Sequence, residues 1–137
     1  MPADVFFDTN VLLYLLSDDA RKARRAEDVL SLGGVVSVQI LNEFAAAALS
    51  KRMLNFAELR EILGTIRTVC TVKAVDLETH DLGLTLAERY RFSVYDSMIV
   101  AAALRAGCTT LYSEDFQHQQ TIERLTIRDP FADSRPP

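Results

Sequence analysis

Val5-Phe6-Phe7-Asp8-Thr9-Asn10-Val11-Leu12 decides how this chain is read. Three consecutive apolar residues suit a short strand covered on both faces. Asp8-Thr9-Asn10 is turn and cap chemistry, and Val11 to Leu16 then carries a helix. Strand, turn and helix recur downstream. Val35 to Val38 predicts a second strand, running into a helix from Gln39 to Met53 with Ile40, Leu41, Phe44, Ala45, Ala48 and Leu49 at helical spacing. Val72 to Val75 predicts a third strand, Thr109 to Tyr112 a fourth, and Leu125 to Arg128 an edge strand. Helices are expected over Arg21 to Leu32, Phe56 to Val69, Glu78 to Tyr90 and Val94 to Ala106, with a short helical turn from Asp115 to Gln119. Gly33-Gly34 and Gly107 stop the helices before them, and Asn55 and Ser93 start the ones after them. The implied fold is α/β: one domain with a central, mostly parallel sheet of four to five short strands and helices on both faces. Right-handed crossovers would bring every strand-to-helix turn to one edge of that sheet.

Bulk properties narrow the class. A chain of 137 residues, 49% hydrophobic and 25% charged, is one ordinary globular domain with enough length for a core. No apolar run approaches the length of about 18 residues needed to span a membrane, and the first residues lack the basic start of a signal peptide. Cys70 and Cys108 are far apart in sequence, so reduced, inert thiols and a cytoplasmic location are expected. The net charge of −4 argues against a simple nucleic-acid binder, unless the acids cluster on a cation. Arg21, Lys22, Arg24 and Arg25 form a basic cluster that reads as a solvated helix face or a track for phosphates. The segment 129–137, rich in proline and charge, is expected to be loosely ordered.

Four acids stand out by position. Asp8 follows the first strand, Glu43 lies in the helix after the second, Asp96 opens the helix after Ser93, and Asp115 follows the fourth strand. Taken singly, each has a plain explanation. Asp8 caps a helix, Asp96 completes a Ser-x-x-Asp capping box, and Asp115 is a turn residue. Glu43 is harder to dismiss, because it shares a helix flank with apolar residues and has no Lys or Arg beside it. Together they reach the edge where open α/β sheets bind ligands. Carboxylates gathered there repel one another unless a cation sits between them, and a hard ion with oxygen ligands, Mg²⁺ or Mn²⁺, is the economical answer. Such an ion activates water and neutralises charge on a scissile phosphate. No Ser-His-Asp or Cys-His arrangement has supporting context, and Gly33-Gly34 matches no phosphate loop. His80 and His118 read as surface residues, and Phe6, Phe7, Phe44, Phe56 and Phe92 as core. Tyr95, beside Asp96, is the aromatic best placed near a base, but packing is the favoured reading of it.

The chain resembles the PIN-domain ribonucleases, specifically the VapC-type toxins of toxin–antitoxin pairs. The resemblance rests on Phe7-Asp8-Thr9-Asn10-Val11-Leu12, on Ser37-Val38-Gln39 leading to Asn42-Glu43-Phe44, on Tyr95-Asp96-Ser97-Met98-Ile99, and on Leu111-Tyr112-Ser113-Glu114-Asp115-Phe116. These motifs span Val5 to about Arg128 in the family's order. By that resemblance Asp8, Glu43, Asp96 and Asp115 would be metal-binding and catalytic. Thr9 and Asn10 would orient Asp8 or a water, and Ser113 would support the fourth acid. It further implies Mg²⁺ (or Mn²⁺), an RNA substrate and a protein antitoxin whose basic segment lies in the acidic pocket. The fourth position is open to Glu114, although Asp115 is favoured on strand alternation. Apolar surface on the helices from Arg21 to Leu32 and Gln39 to Leu63 suggests a homodimer.

Two rivals come from other classes. A haloacid-dehalogenase-like phosphatase needs an acid two residues after its nucleophile, where this chain has Asn10. A non-catalytic PIN-like RNA-binding domain would keep the fold without the chemistry.

Overall fold

The computed structural model of the protein describes residues 4–132. Strand β1 (Val5–Phe7) lies inside a six-stranded sheet of order β3-β2-β1-β4-β6-β5. Its neighbours are β2 (Gly34–Ser37) and β4 (Thr110–Tyr112), both parallel to it. Beyond β2 lies β3 (Cys70–Lys73), and beyond β4 lies β6 (Leu125–Arg128), again parallel. Only β5 (Thr121–Ile122) runs antiparallel, in a hairpin with β6. The strand order therefore reverses at β1, where the chain builds outward through β2 and β3 and returns on the far side with β4.

The helices are α1 (Thr9–Leu13), α2 (Ala20–Ser31), α3 (Val38–Ser50), α4 (Phe56–Val69), α5 (Leu77–Tyr90) and α6 (Val94–Arg105). Helix α6 is the most deeply buried: every residue from Ser97 to Leu104 is inside, packed over β2 and β4 and covered by α5. That contact is close, because a Cβ on Gly83 would stand 2.5 Å from the Met98 sulfur. Helices α1 to α4 form a contiguous set, with α3 against α1, α4 and β2. Phe6, Phe7, Leu12, Ile40, Phe44, Leu111 and Ile127 fill the centre with no exposed surface.

The α/β architecture follows the expectation, with six strands instead of four to five. Several local expectations need correction. The Leu125–Arg128 strand is not the edge, because Glu123 adopts a left-handed φ of 56° and folds Thr121–Ile122 back onto it. Strand β3 starts at Cys70, not Val72: α4 runs straight into it, and pairing of Gly34 with Cys70 sets its register. Val11 to Leu16 divides into α1 and a 3₁₀ turn over Tyr14–Leu16. No helix forms from Asp115 to Gln119, where the chain only turns. Phe56 is not core: it is 60% exposed, with the Arg60 guanidinium 5.8 Å from its ring.

Within the proposed tail, Asp129, Pro130 and Phe131 are buried. Phe131 packs edge-on against Tyr14 at 4.4 Å, and Arg25 Nε donates to the Pro130 carbonyl at 2.7 Å. Residues 133–137 lie outside the described part. Cys70 and Cys108 are both buried and form no disulfide, and burial pushes each thiol up to about 11, so neither is a thiolate at neutral pH. Among the described residues no helix is long and apolar enough to cross a membrane.

Candidate acidic site at the strand ends

Parallel pairing of β1 with β4 sets Phe7 opposite Tyr112. The next residues, Asp8 and Ser113, are therefore neighbours at the carboxyl ends of adjacent strands, at the reversal point where open α/β sheets place their ligands. Both are buried, at 2% and 0% exposure. The Ser113 hydroxyl donates to Asp8 Oδ2 at 2.7 Å and accepts the Asp115 backbone N–H at 3.0 Å. The other Asp8 oxygen, Oδ1, accepts the Thr9 N–H at 2.7 Å, so Asp8 also caps α1. One serine thus fixes both the first acid and the backbone of the last.

Burial raises the Asp8 pKa to about 6; the Ser113 and Thr9 bonds oppose this, and the nearby charges of Asp115 and Glu43 add to it. Asp96 is also raised, first by burial and then by Asp115, against a bond from Ser93. Asp8, Glu43, Asp96 and Asp115 are thus joined by mutual repulsion. Glu43, in the second turn of α3, accepts from Gln39 Nε2 at 3.1 Å. Asp96 sits in the first turn of α6, where Ser93 caps the helix by accepting the Asp96 N–H at 3.1 Å. Glu114 is turned elsewhere, since it hydrogen-bonds Tyr14 and faces Lys22.

Three further polar groups beside the acids are buried without a hydrogen-bond partner: Thr9 Oγ1, both amide atoms of Asn10, and Ser97 Oγ. Orphaned buried groups are costly and mark places that take water, an ion or a substrate. The side chains do not form a finished chelate, however. Among the described residues no three Asp, Glu, His or Cys groups close around one point as they stand. An all-oxygen donor set with a raised, buried carboxylate at its centre fits a hard divalent ion by its chemistry.

Two residues near the acids carried no clear sequence signal. Gln39 supplies the Glu43 partner that neither Lys nor Arg provides, and its place one helical turn earlier was the available clue. Tyr14 links Glu114 to Lys22, whose Nζ lies 3.4 Å from the phenol oxygen and 4.8 Å from the ring centre. His80 and His118 are both exposed; His118 Nδ1 accepts the Asp129 N–H at 3.0 Å, a bond that joins the two ends of the β5–β6 hairpin.

Fold and site together define an open α/β domain with electrostatically coupled carboxylates near its strand-order reversal. The model of the PIN domain family matches residues 5–123, and the chain belongs to that family. Three solved structures share the fold. VapC20 of Mycobacterium tuberculosis, a sarcin–ricin loop cleaving toxin, is 21% identical with a TM-score of 0.65, over 81% of this chain and 89% of that one. A toxin–antitoxin complex from Klebsiella pneumoniae is 17% identical with a TM-score of 0.71, over 92% and 97%. VapBC2 of Rickettsia felis, bound to a DNA fragment from its promoter, is 13% identical with a TM-score of 0.65, over 90% and 96%. Among curated proteins no sequence matches this chain.

Proposed function

We propose that this PIN domain is an endoribonuclease dependent on Mg²⁺ or Mn²⁺, and that it is the toxin of a toxin–antitoxin pair. The observation that carries the reading is the shared placement of Asp8 and Asp115 on Ser113, within electrostatic reach of Glu43 and Asp96. Family membership and the likeness to VapC20 and to the K. pneumoniae complex support it.

Asp8 and Asp96 would hold the ion, with Asp115 completing the site or recruiting a second ion. When bound, the ion supplies an activated water and neutralises charge on the scissile phosphate. The residues do the rest. Ser113 keeps Asp8 in one rotamer and lowers its pKa against burial, so that it is mostly ionised at neutral pH. Thr9 and Asn10 offer hydroxyl and amide groups to order water beside Asp8. Glu43, oriented by Gln39, would either bind the ion through water or take the proton of the attacking water. Attack of water on phosphorus would break the P–O3′ bond, and the departing 3′ oxygen would take a proton from solvent, leaving a 5′-phosphate and a 3′-hydroxyl.

The proposed seat of the antitoxin is a groove on the helical side of the fold. Leu15, Leu30, Ile62 and Ile66 line an apolar groove of about 460 Å³ between α2 and α4, and Glu27, Glu58 and Glu61 border it. An amphipathic helix with basic flanks suits that surface. A homodimer is proposed from apolar side chains left outside, Leu32 at 73% and Phe56 at 60% exposure. A cytoplasmic location is proposed from two buried cysteines that form no disulfide.

The test is incubation of purified protein with single-stranded RNA in Mg²⁺ and in EDTA, for wild type and Asp8→Asn. Cleavage by wild type in Mg²⁺ only, leaving 5′-phosphates, is expected. A 2′,3′-cyclic phosphate product would overturn the mechanism. The rival is a catalytically silent RNA-binding domain of the same fold. Calorimetry separates the two, because a silent domain takes up no Mg²⁺ or Mn²⁺ through Asp8 and Asp96.

A further inference from the structure

Beside Glu43 the surface sinks into a cavity of about 420 Å³ between the start of α3, the segment after β3 and the start of α6. Val38, Val75 and Tyr95 give it apolar and aromatic walls, and Gln39 and Asn42 give it two side-chain amides. Glu43 lines it too, so the cavity and the candidate catalytic site share a wall. Tyr95 is 74% exposed, Val38 43% and Val75 38%. A tyrosine left this open is not serving the core, so the packing explanation for it does not hold.

We propose that this cavity is a nucleobase pocket that receives one unstacked base of the RNA strand next to the cleaved phosphate. The inference rests on the ribonuclease reading and deepens it. Three features select a base over other occupants. Single-stranded RNA is read by stacking on aromatic side chains and by hydrogen bonds to base edges, and Tyr95 with the Asn42 and Gln39 amides provides both. The volume falls in the ordinary range for small planar ligands, about 300–1,000 Å³. The shared Glu43 places such a base within one nucleotide of the reacting phosphate. A second copy of the chain is a poorer occupant: burying this face against protein would strip water from the Glu43 carboxylate and the amides without supplying partners.

Tyr95 and Asn42 would then set which nucleotide borders the cut. Tyr95 supplies stacking that every base accepts, and Asn42 supplies a donor and an acceptor that distinguish edges.

The experiment uses the full chain carrying Asp96→Asn, so that bound RNA is not cut. A single-stranded oligoribonucleotide carries 2-aminopurine walked along its length, and fluorescence reports stacking. One label position is expected to be quenched strongly on binding, and adding Tyr95→Ala should remove that quenching and weaken binding by roughly 5- to 150-fold. Tyr95→Phe should keep both, and Asn42→Ala should change the preferred base with little loss of affinity for the others. Binding with no quenched position, or quenching indifferent to Tyr95→Ala, overturns the pocket and leaves the ribonuclease reading intact. No RNA binding by either the Asp96→Asn protein or the wild type removes both. Loss of a dimer in sedimentation with Tyr95→Ala, at unchanged RNA affinity, would assign the face to a second copy and overturn the proposal.

Discussion

Ser113→Ala is the sharpest perturbation of the acidic site. It deletes one hydroxyl that donates to Asp8 Oδ2 at 2.7 Å and accepts the Asp115 N–H at 3.0 Å, in a position with no exposed surface. A hydrogen bond to a charged group contributes about 1.5–3 kcal/mol. Because about 1.4 kcal/mol corresponds to one pH unit of titration, the Asp8 midpoint should rise by roughly one to two pH units above its present value. That value is about 6, raised by burial and held there by Ser113 and Thr9. At pH 7 the ionised share of Asp8 should fall from roughly nine tenths to between about a half and a tenth. The assay is a carboxyl-carbon NMR titration of the metal-free protein, with metal uptake followed by calorimetry across the same pH range. Wild type should take up metal near neutrality, and the variant should need a more alkaline solution. An Asp8 midpoint at or below that of wild type would refute the role given to Ser113.

Two other perturbations follow from the same structure. The Asp8 midpoint of about 6 lies above the ordinary 3.8, so ionising it in the fold costs stability that is absent below pH 4, grows through the window between, and is complete above 6. Metal-free wild type should therefore weaken by up to about 3 kcal/mol from pH 4 to pH 7.5 relative to Asp8→Asn, read by urea unfolding, and parallel pH profiles would contradict this. Gly34→Ala should cost about 1–3 kcal/mol in thermal unfolding, because a Cβ there would stand 2.5 Å from the Phe7 ring and 2.8 Å from the Val5 carbonyl; an unchanged melting temperature would show that β1 and β2 can move apart freely.

The positions of the acids were legible because each is tied to a local signal. Asp8 ends an apolar triplet, Asp96 follows the Ser93 cap by three residues, and Asp115 follows a strand. Their partners were not, since hydrogen bonds such as Ser113 to Asp8 join residues 105 apart and depend on which strands pair. The β5–β6 hairpin was missed because its turn uses Glu123 in a left-handed conformation, where Asn or Gly would have announced it. The β3 boundary moved because Val72 and Val75 suggested a strand by propensity, whereas register against β2 selected Cys70–Lys73 and left Val75 at the surface. The proline-rich end concealed Phe131, whose anchoring to Tyr14 is a tertiary contact with no local pattern.

The central claim, that these four carboxylates cut RNA, is tested most directly by mapping RNA 5′ ends in cells after a brief pulse of expression, wild type against Asp96→Asn. New 5′-phosphate ends at defined sites with wild type alone are the predicted result, and their positions would identify the target. Identical end profiles from the two proteins would contradict it.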